Sequence, residues 1–426
     1  MKRRILKLLH EWRESPTRTP IMIRGARQTG KTWVCREFGK GFTTFIEINL
    51  EVQTQLHRVF DQHFGDPEKL IKQLAFELKT TIVKGETLLF LDEIQECESA
   101  IKSLRYFKEK LPELHVISTG SLLEFKLKRL GVPVGRVSFC WLFPMNFEEF
   151  LWAHHVESAY DKELSVDAIF QEHLAHYLMI GGLPEVVDTW IKTENLFECQ
   201  NVLQRLAGTY RTDFNRYGSD KEIRVLQTIF DKIPRYWGQK TKYSLLSENH
   251  RAVEVKNAID LLRDAGLVSP CYKVSGNGLP LRAEANFDHF KLFSLDLGLG
   301  QRLLNLDLKN YSWSDYIHIG GLMEQFIAGE IRSYTSLNFE SEIFYWQREQ
   351  KGAKAELDFI INRGTEIVPV EVKAGKNRHH PSLSKFIEEK KSSCAIHLSA
   401  LDNFDFPFSK EKIIHFIPFW RFFQTL

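Results

Sequence analysis

No apolar run in the 426-residue chain approaches the roughly 20 residues that a bilayer-crossing helix needs, so no membrane partner is expected. Cysteine is scarce. The six, at 35, 97, 140, 199, 271 and 394, contain no C-x-x-C pair, which argues against a disulfide framework and a cysteine zinc site. Excess charge is missing too. Fifty-seven Lys and Arg against 55 Asp and Glu leave +2, so bulk charge does not make the molecule a polyanion binder, although a local patch stays open. No internal repeat or low-complexity segment occurs. With 43% hydrophobic and 26% charged residues, the composition is that of globular chains and excludes extended disorder. The start, MKRRILKLLHEW, resembles a signal peptide, but Lys7 and His10 interrupt the apolar stretch and no small-residue cleavage site follows. It is read as a basic amphipathic helix of a cytoplasmic protein.

What is present is length and alternation. One hydrophobic core rarely exceeds about 250–300 residues, so two or three domains are expected. The pattern divides at 1–156, 157–285 and 286–426. The first part alternates strand and helix periods. Ile21–Arg24, Phe45–Leu50, Thr87–Leu91 and His115–Ser118 read as strands, and Lys31–Lys40, Glu68–Leu78 and the Ile101, Leu104, Phe107, Leu111 face read as helices. Strands separated by helices imply a parallel α/β sheet covered on both faces. Residues 160 to 216 read as helical around Gly181-Gly182-Leu183-Pro184. The stretch 221–272 reads as helix, turn, helix, the order of a winged-helix module. From Gly320 the order is helix, three strands (Glu342–Gln347, Glu356–Ile361, Glu366–Lys373), helix and strand.

Between the first strand and helix lies Gly25-Ala26-Arg27-Gln28-Thr29-Gly30-Lys31-Thr32, a G-x-x-x-x-G-K-[ST] sequence. Its glycines let successive N–H groups face phosphate oxygens, Lys31 would reach the β- and γ-phosphates, and Thr32 would place its hydroxyl on Mg²⁺. The strand Leu88–Leu91 ends in Asp92, a second Mg²⁺ ligand, and Glu93, which would polarise the attacking water. Ser118 and Thr119 close the next strand, where a hydroxyl would meet the γ-phosphate or water; Ser118 is taken as the nucleotide contact, with a plain strand-end cap as the other reading. Arg136 is a candidate for stabilising transition-state charge, alone or across a subunit contact, or a solvated surface arginine.

GARQTGKT, LLFLDEIQE, VISTGSLLE and GRVSFCWLFPMNFEEFL resemble the ATPase domain of a bacterial and archaeal AAA-type group, as do the later IGGLPEVV, LFSLDLGLG, GGLMEQFIAGEI and ELDFII…VPVEVKAGKN. Members carry a C-terminal domain of unknown function. The resemblance implies ATP as the nucleotide.

The tail supplies a second set. Asp358, followed after a turn at 362–365 by Glu371 and Lys373 two apart on one strand, gives D…E-x-K, with Glu324 on the preceding helix as a further acid. If Ile361 pairs with Glu366, Asp358 shares the face of Glu371; a one-residue slip reverses this. The order is similar to the restriction-endonuclease-like fold, which implies Asp358 and Glu371 as Mg²⁺ ligands and Lys373 as the group that orients water. Simple alternation of apolar and charged residues gives E-V-K as well. Basic residues of the central region (Lys221, Arg224, Lys232, Arg235, Lys240, Lys242, Arg251, Lys256) suit DNA phosphates, but Asp220, Glu222, Asp231, Glu248 and Glu254 are interleaved. Two functions follow: an ATPase driving a nuclease-like tail on DNA, or a non-nucleolytic ATP switch that recruits a protein partner or self-associates. The aromatic stretch 404–423 is read as core or domain contacts, and the pair His173, His176 as structural or surface histidines.

Overall fold

Burial on both faces explains why the N-terminal strands are short and almost wholly apolar. In the computed structural model, which describes residues 1–120, 135–156, 165–216, 219–306, 319–334, 339, 342–348, 355–376, 378–401 and 403–426, five of them form one parallel sheet. They are β1 (Ile21–Arg24), β2 (Thr44–Asn49), β3 (Thr87–Asp92), β4 (His115–Thr119) and β5 (Ser138–Trp141), in the order β2-β3-β4-β1-β5. On one face Leu88 and Phe90 meet α1 (Ile5–Glu14) and α2 (Lys31–Gly39) through Leu9, Trp12, Val34 and Phe38. On the other, Leu89 and Leu91 meet α3 (His57–His63), α4 (Pro67–Glu77) and α5 (Glu98–Lys110) through Phe60, Leu70, Leu74, Leu104 and Phe107. The amphipathic start is therefore a core helix. Asp66 caps α4 by accepting the Lys69 N–H at 3.2 Å, and proline opens the first turn.

The chain separates into two compact units, one built on Met1–Phe143, the other on Pro144–Tyr334 and Ser341–Leu426. The second opens with helices: α6 (Phe147–Ala153), α7 (Ser165–Ile180), α8 (Pro184–Thr193) and α9 (Leu196–Asp213). Then come α10 (Asp220–Lys232), α11 (Tyr243–Leu246) and α12 (Ala252–Asp264), followed by the antiparallel pair β6 (Val268–Val274) and β7 (Ala285–Ser294). After α13 (Leu297–Leu303) and α14 (Gly320–Ser333) the tail forms β8 (Ile343–Gln347), β9 (Glu356–Arg363), β10 (Glu366–Val372), α15 (Pro381–Glu389), β11 (Cys394–Ser399), β12 (Phe404–Ser409) and β13 (Lys412–Pro418). One sheet of eight strands, ordered β12-β13-β11-β10-β9-β8-β6-β7, runs through all of it.

That sheet corrects the expected division. The boundary placed at 285 and 286 falls inside β7, just after its first residue, and β7 pairs with β6, which pairs on its other side with β8 of the tail. The first boundary, at 156, moves to 143. β12 and β13, from the aromatic stretch, were not anticipated as strands; Phe404 and Phe416 stack across them with centroids 4.4 Å apart. The hairpin between β9 and β10 is tighter than expected: Arg363 pairs with Glu366 and Ile361 with Val368, two residues from the anticipated register. His154, His173 and His176 pack among themselves and against Phe150 and Trp190, which makes His173 and His176 structural and gives His154, assigned no role from sequence, a packing one.

Candidate functional site

At the C-terminal end of β1 the backbone must turn sharply into α2, and three residues do so at positive φ: Gly25 at 141°, Gln28 at 65° and Gly30 at 93°. At Gly25 only glycine fits, since a Cβ would lie 2.2 Å from the Leu142 carbonyl oxygen. Gly30 precedes α2 and no side chain caps that helix, which leaves its first N–H groups to a bound anion. Thr29 is fully buried, and its hydroxyl donates to the Ala26 carbonyl at 3.0 Å. Lys31 donates to the carbonyls of Gly25 at 2.9 Å and Ala26 at 2.8 Å. Burial lowers the Lys31 pKa to about 8, against the pull of Glu93 and Asp92. Arg3, unforeseen from sequence, holds this loop from below by donating to the carbonyls of Thr29 at 2.9 Å and Phe143 at 2.7 Å.

β3 brings the acids to the same edge. Asp92 accepts the Thr32 hydroxyl at 3.1 Å, the Thr119 hydroxyl, and the Glu93 N–H at 3.1 Å. Burial raises its pKa. A hydroxyl and a carboxylate this close are the hard oxygen donors that Mg²⁺ prefers, so Thr32 and Asp92 fit that ion. Glu93 sits in the left-handed region at φ 50°, and Gln95 donates to its carboxylate. A non-glycine residue held there is strained, a feature of functional turns.

Two expected members of this site lie elsewhere. Ser118 is fully buried and donates to the Ile21 carbonyl at 3.2 Å, inside the sheet. Its neighbour Thr119 is the residue at the site, because successive strand side chains point to opposite sides. Arg136 lies at the opposite edge. β5 runs parallel to β1 with Ser138 beside Ile21, so a residue preceding β5 is where the strands begin, whereas the phosphate loop follows their ends. There Arg136 pairs with Glu109 at 3.2 Å. Of the quoted VISTGSLLE, the residues after Gly120 lie outside the described ones.

In the tail, Glu371 and Lys373 meet as expected, at 2.6 Å. Asp358 faces a residue the sequence reading missed. Lys291 of β7, 1% exposed, contacts Glu324 at 3.1 Å, Glu356 at 3.2 Å and Asp358 at 3.5 Å. The second Asp358 oxygen accepts the Val372 N–H at 2.8 Å. Burial alone would depress the Lys291 ammonium; the three carboxylates outweigh it and hold its pKa above the usual lysine range. Burial, then repulsion from Asp358, raises Glu324 to about 8. Asp358 and Glu371 thus each have their own ammonium, and among the described residues no group of three or more His, Cys, Asp or Glu is arranged to hold a metal. The Mg²⁺ expected on Asp358 and Glu371 does not fit this arrangement. The signal for Lys291 was legible: a lysine between Phe290 and Leu292 interrupts an otherwise apolar strand end.

A third centre explains two quoted motifs. Asp296, fully buried in its surroundings, accepts the Gly182 N–H at 2.7 Å and the Leu299 N–H at 2.9 Å, and burial lifts its pKa to about 6. It fastens the Gly181-Gly182 turn to the start of α13.

Family comparisons divide the chain in three. Residues 17–151 match an AAA domain, 171–310 a domain of unknown function (DUF8612) and 319–422 another (DUF4143). The AAA match covers most of the N-terminal unit, including the phosphate loop and the Asp92 edge. No curated protein matches. Solved structures similar to the chain include the Walker-type ATPase PABY2304 of Pyrococcus abyssi, at 13% identity and TM-score 0.46 over 70% of this chain and 94% of that one. The Aeropyrum pernix Orc1 protein, solved with DNA, has 14% identity and TM-score 0.28 over 71% and 90%. AMPPCP-bound DnaA from Aquifex aeolicus has 14% and 0.28 over 61% and 86%. No helix among the described residues is long and apolar enough to cross a membrane.

Proposed function

We propose that this chain binds and hydrolyses ATP at the β1–β3–β4 edge and that the nucleotide state drives the second unit on DNA, in the cytoplasm. The observation that carries the reading is Asp92, tied to the Thr32 and Thr119 hydroxyls beside the buried Lys31. Lys31 and the loop amides bind the phosphates. Glu93 orients a water and takes its proton as the terminal phosphoryl group is released. Mg²⁺ held by Thr32 and Asp92 would neutralise charge on the phosphate oxygens.

The DNA part rests on α10, α11, α12 and the β6–β7 pair, with an isolated bridge between Lys240 and Lys291, an order like that of a winged helix. Lys221 and Lys240 are engaged with Glu254 and Glu356, each at 2.5 Å, so Lys256, exposed on α12, is a better phosphate contact. Phosphate release with and without duplex DNA, in the wild type, Lys31→Ala and Lys256→Glu, tests both parts. Lys31→Ala should abolish turnover. Lys256→Glu should weaken DNA binding at low salt while basal turnover persists.

In its fuller form the reading adds cleavage by Asp358, Glu371 and Lys373, since α14, β8–β10, α15 and β11 follow a nuclease-like order. The second reading, a non-nucleolytic switch that recruits a protein partner or a second copy, is favoured by Lys291 among the acids. Incubation of DNA and RNA with Mg²⁺ or Mn²⁺ and ATP separates them. Cutting lost in Asp358→Ala supports the first; intact substrates with ATP turnover preserved support the second.

A further inference from the structure

Three carboxylates converge on one nitrogen in the second unit. Glu324 comes from α14, Glu356 and Asp358 from β9, and the Lys291 ammonium lies within 3.1 to 3.5 Å of each. The Tyr345 ring closes the centre, with the ammonium 5.4 Å from its centroid. Tyr345 is fully buried and its hydroxyl has no hydrogen-bond partner. Lys240 neutralises Glu356 from outside at 2.5 Å.

Half-buried carboxylates this close repel one another unless a cation stands between them. A divalent ion would take such oxygens at about 2.0–2.6 Å. An ammonium at hydrogen-bonding distance fills the same space, and it is covalently part of the chain. The D…E-x-K order therefore accompanies a centre whose cation is already supplied.

We infer that Lys291 is the resident cation of the Glu324, Glu356 and Asp358 cage, that the cage takes no divalent ion while Lys291 is present, and that removing the ammonium opens an oxygen-lined divalent-cation site. The Mg²⁺ need of the chain then belongs to the N-terminal edge alone. The inference is independent of ATP turnover but excludes metal-dependent cleavage at Asp358, and its test uses neither nucleotide nor DNA.

The full-length, nucleotide-free chain is titrated with MnCl₂, free Mn²⁺ is read by electron paramagnetic resonance, and melting is followed with and without the ion. Wild type and Asp358→Asn should bind Mn²⁺ equally. Lys291→Met should melt roughly 10 °C lower, the size expected for stranding buried charge. It should gain one Mn²⁺ equivalent, recover at least half of the lost melting temperature in millimolar Mn²⁺, and lose both gains when Asp358→Asn is added. Lys291→Gln serves if the methionine variant does not fold. The inference is overturned if wild type binds an ion that Asp358→Asn removes, or if a folded Lys291 variant gains none. Should neither variant fold, the wild-type comparison decides.

Discussion

Asp92 and Glu93 are adjacent in the chain and differ in circumstance. Asp92 is 5% exposed and held by two threonine hydroxyls, whereas Glu93 stands on a strained turn with Gln95 as a brace. Glu93→Gln should therefore keep nucleotide affinity, measured by calorimetry, and slow phosphate release by about 10²–10⁴-fold, the usual range for a positioned proton acceptor. Thr119→Ala, which frees one side of Asp92, should slow turnover by about 10- to 150-fold, from the roughly 1.5–3 kcal/mol of a hydrogen bond to a charged group. Ser118→Ala should leave turnover unchanged and lower stability by about 1 kcal/mol, since its bond to Ile21 is structural. Equal kinetic losses in the two would refute the assignment. The phosphate loop was legible because its spacing is dictated by backbone geometry. Choosing Ser118 over Thr119 failed by one step of strand parity. Within one chain Arg136 is the solvated arginine of its second reading, because spacing does not say at which edge of a sheet a residue lies.

At the scale of elements, the strands and most helices anticipated for the first unit carried over within a few residues, since both faces of its sheet are buried, while α3 was not anticipated. The second unit was harder to read. β6 joins β8, about 70 residues further along the chain, and pairing partners are not encoded in periodicity. The Gly181-Gly182 turn shows what the quoted glycines do. A Cβ at Gly182 would lie 1.9 Å from the Met145 carbonyl oxygen, and one at Gly298 would lie 2.1 Å from that of Ile180. Backbone meets backbone there, with Asp296 bridging. Asp296→Ala strands two buried N–H groups, so denaturant unfolding should show a loss of about 3 kcal/mol. Gly182→Ala should cost at least about as much, through overpacking against an immovable carbonyl.

For the whole molecule, acid is the informative variable. His397 is fully buried, and burial lowers its pKa to about 4. The unfolded chain takes up that proton near pH 6.5, the folded chain only near 4, so stability from the neutral ring is complete above 6.5 and lost as pH falls toward 4. Asp296, raised to about 6, works the other way over part of that range, because its ionised form becomes costly as pH rises. Comparing wild type with His397→Phe isolates the histidine. The variant should match wild type at pH 7.5 and exceed it by up to about 3 kcal/mol near pH 4, by urea titration at each pH. A constant difference across that range would rule the histidine out.

The eight-strand sheet has a practical corollary for anyone dissecting the protein. β6 lies between β7 and β8, so a gene fragment stopped at residue 285 or begun at 286 tears a hydrogen-bonded seam and leaves a naked, apolar strand border. Such borders recruit one another. Pieces cut there should emerge as inclusion bodies, while a piece beginning near Pro144 keeps every seam of that sheet closed.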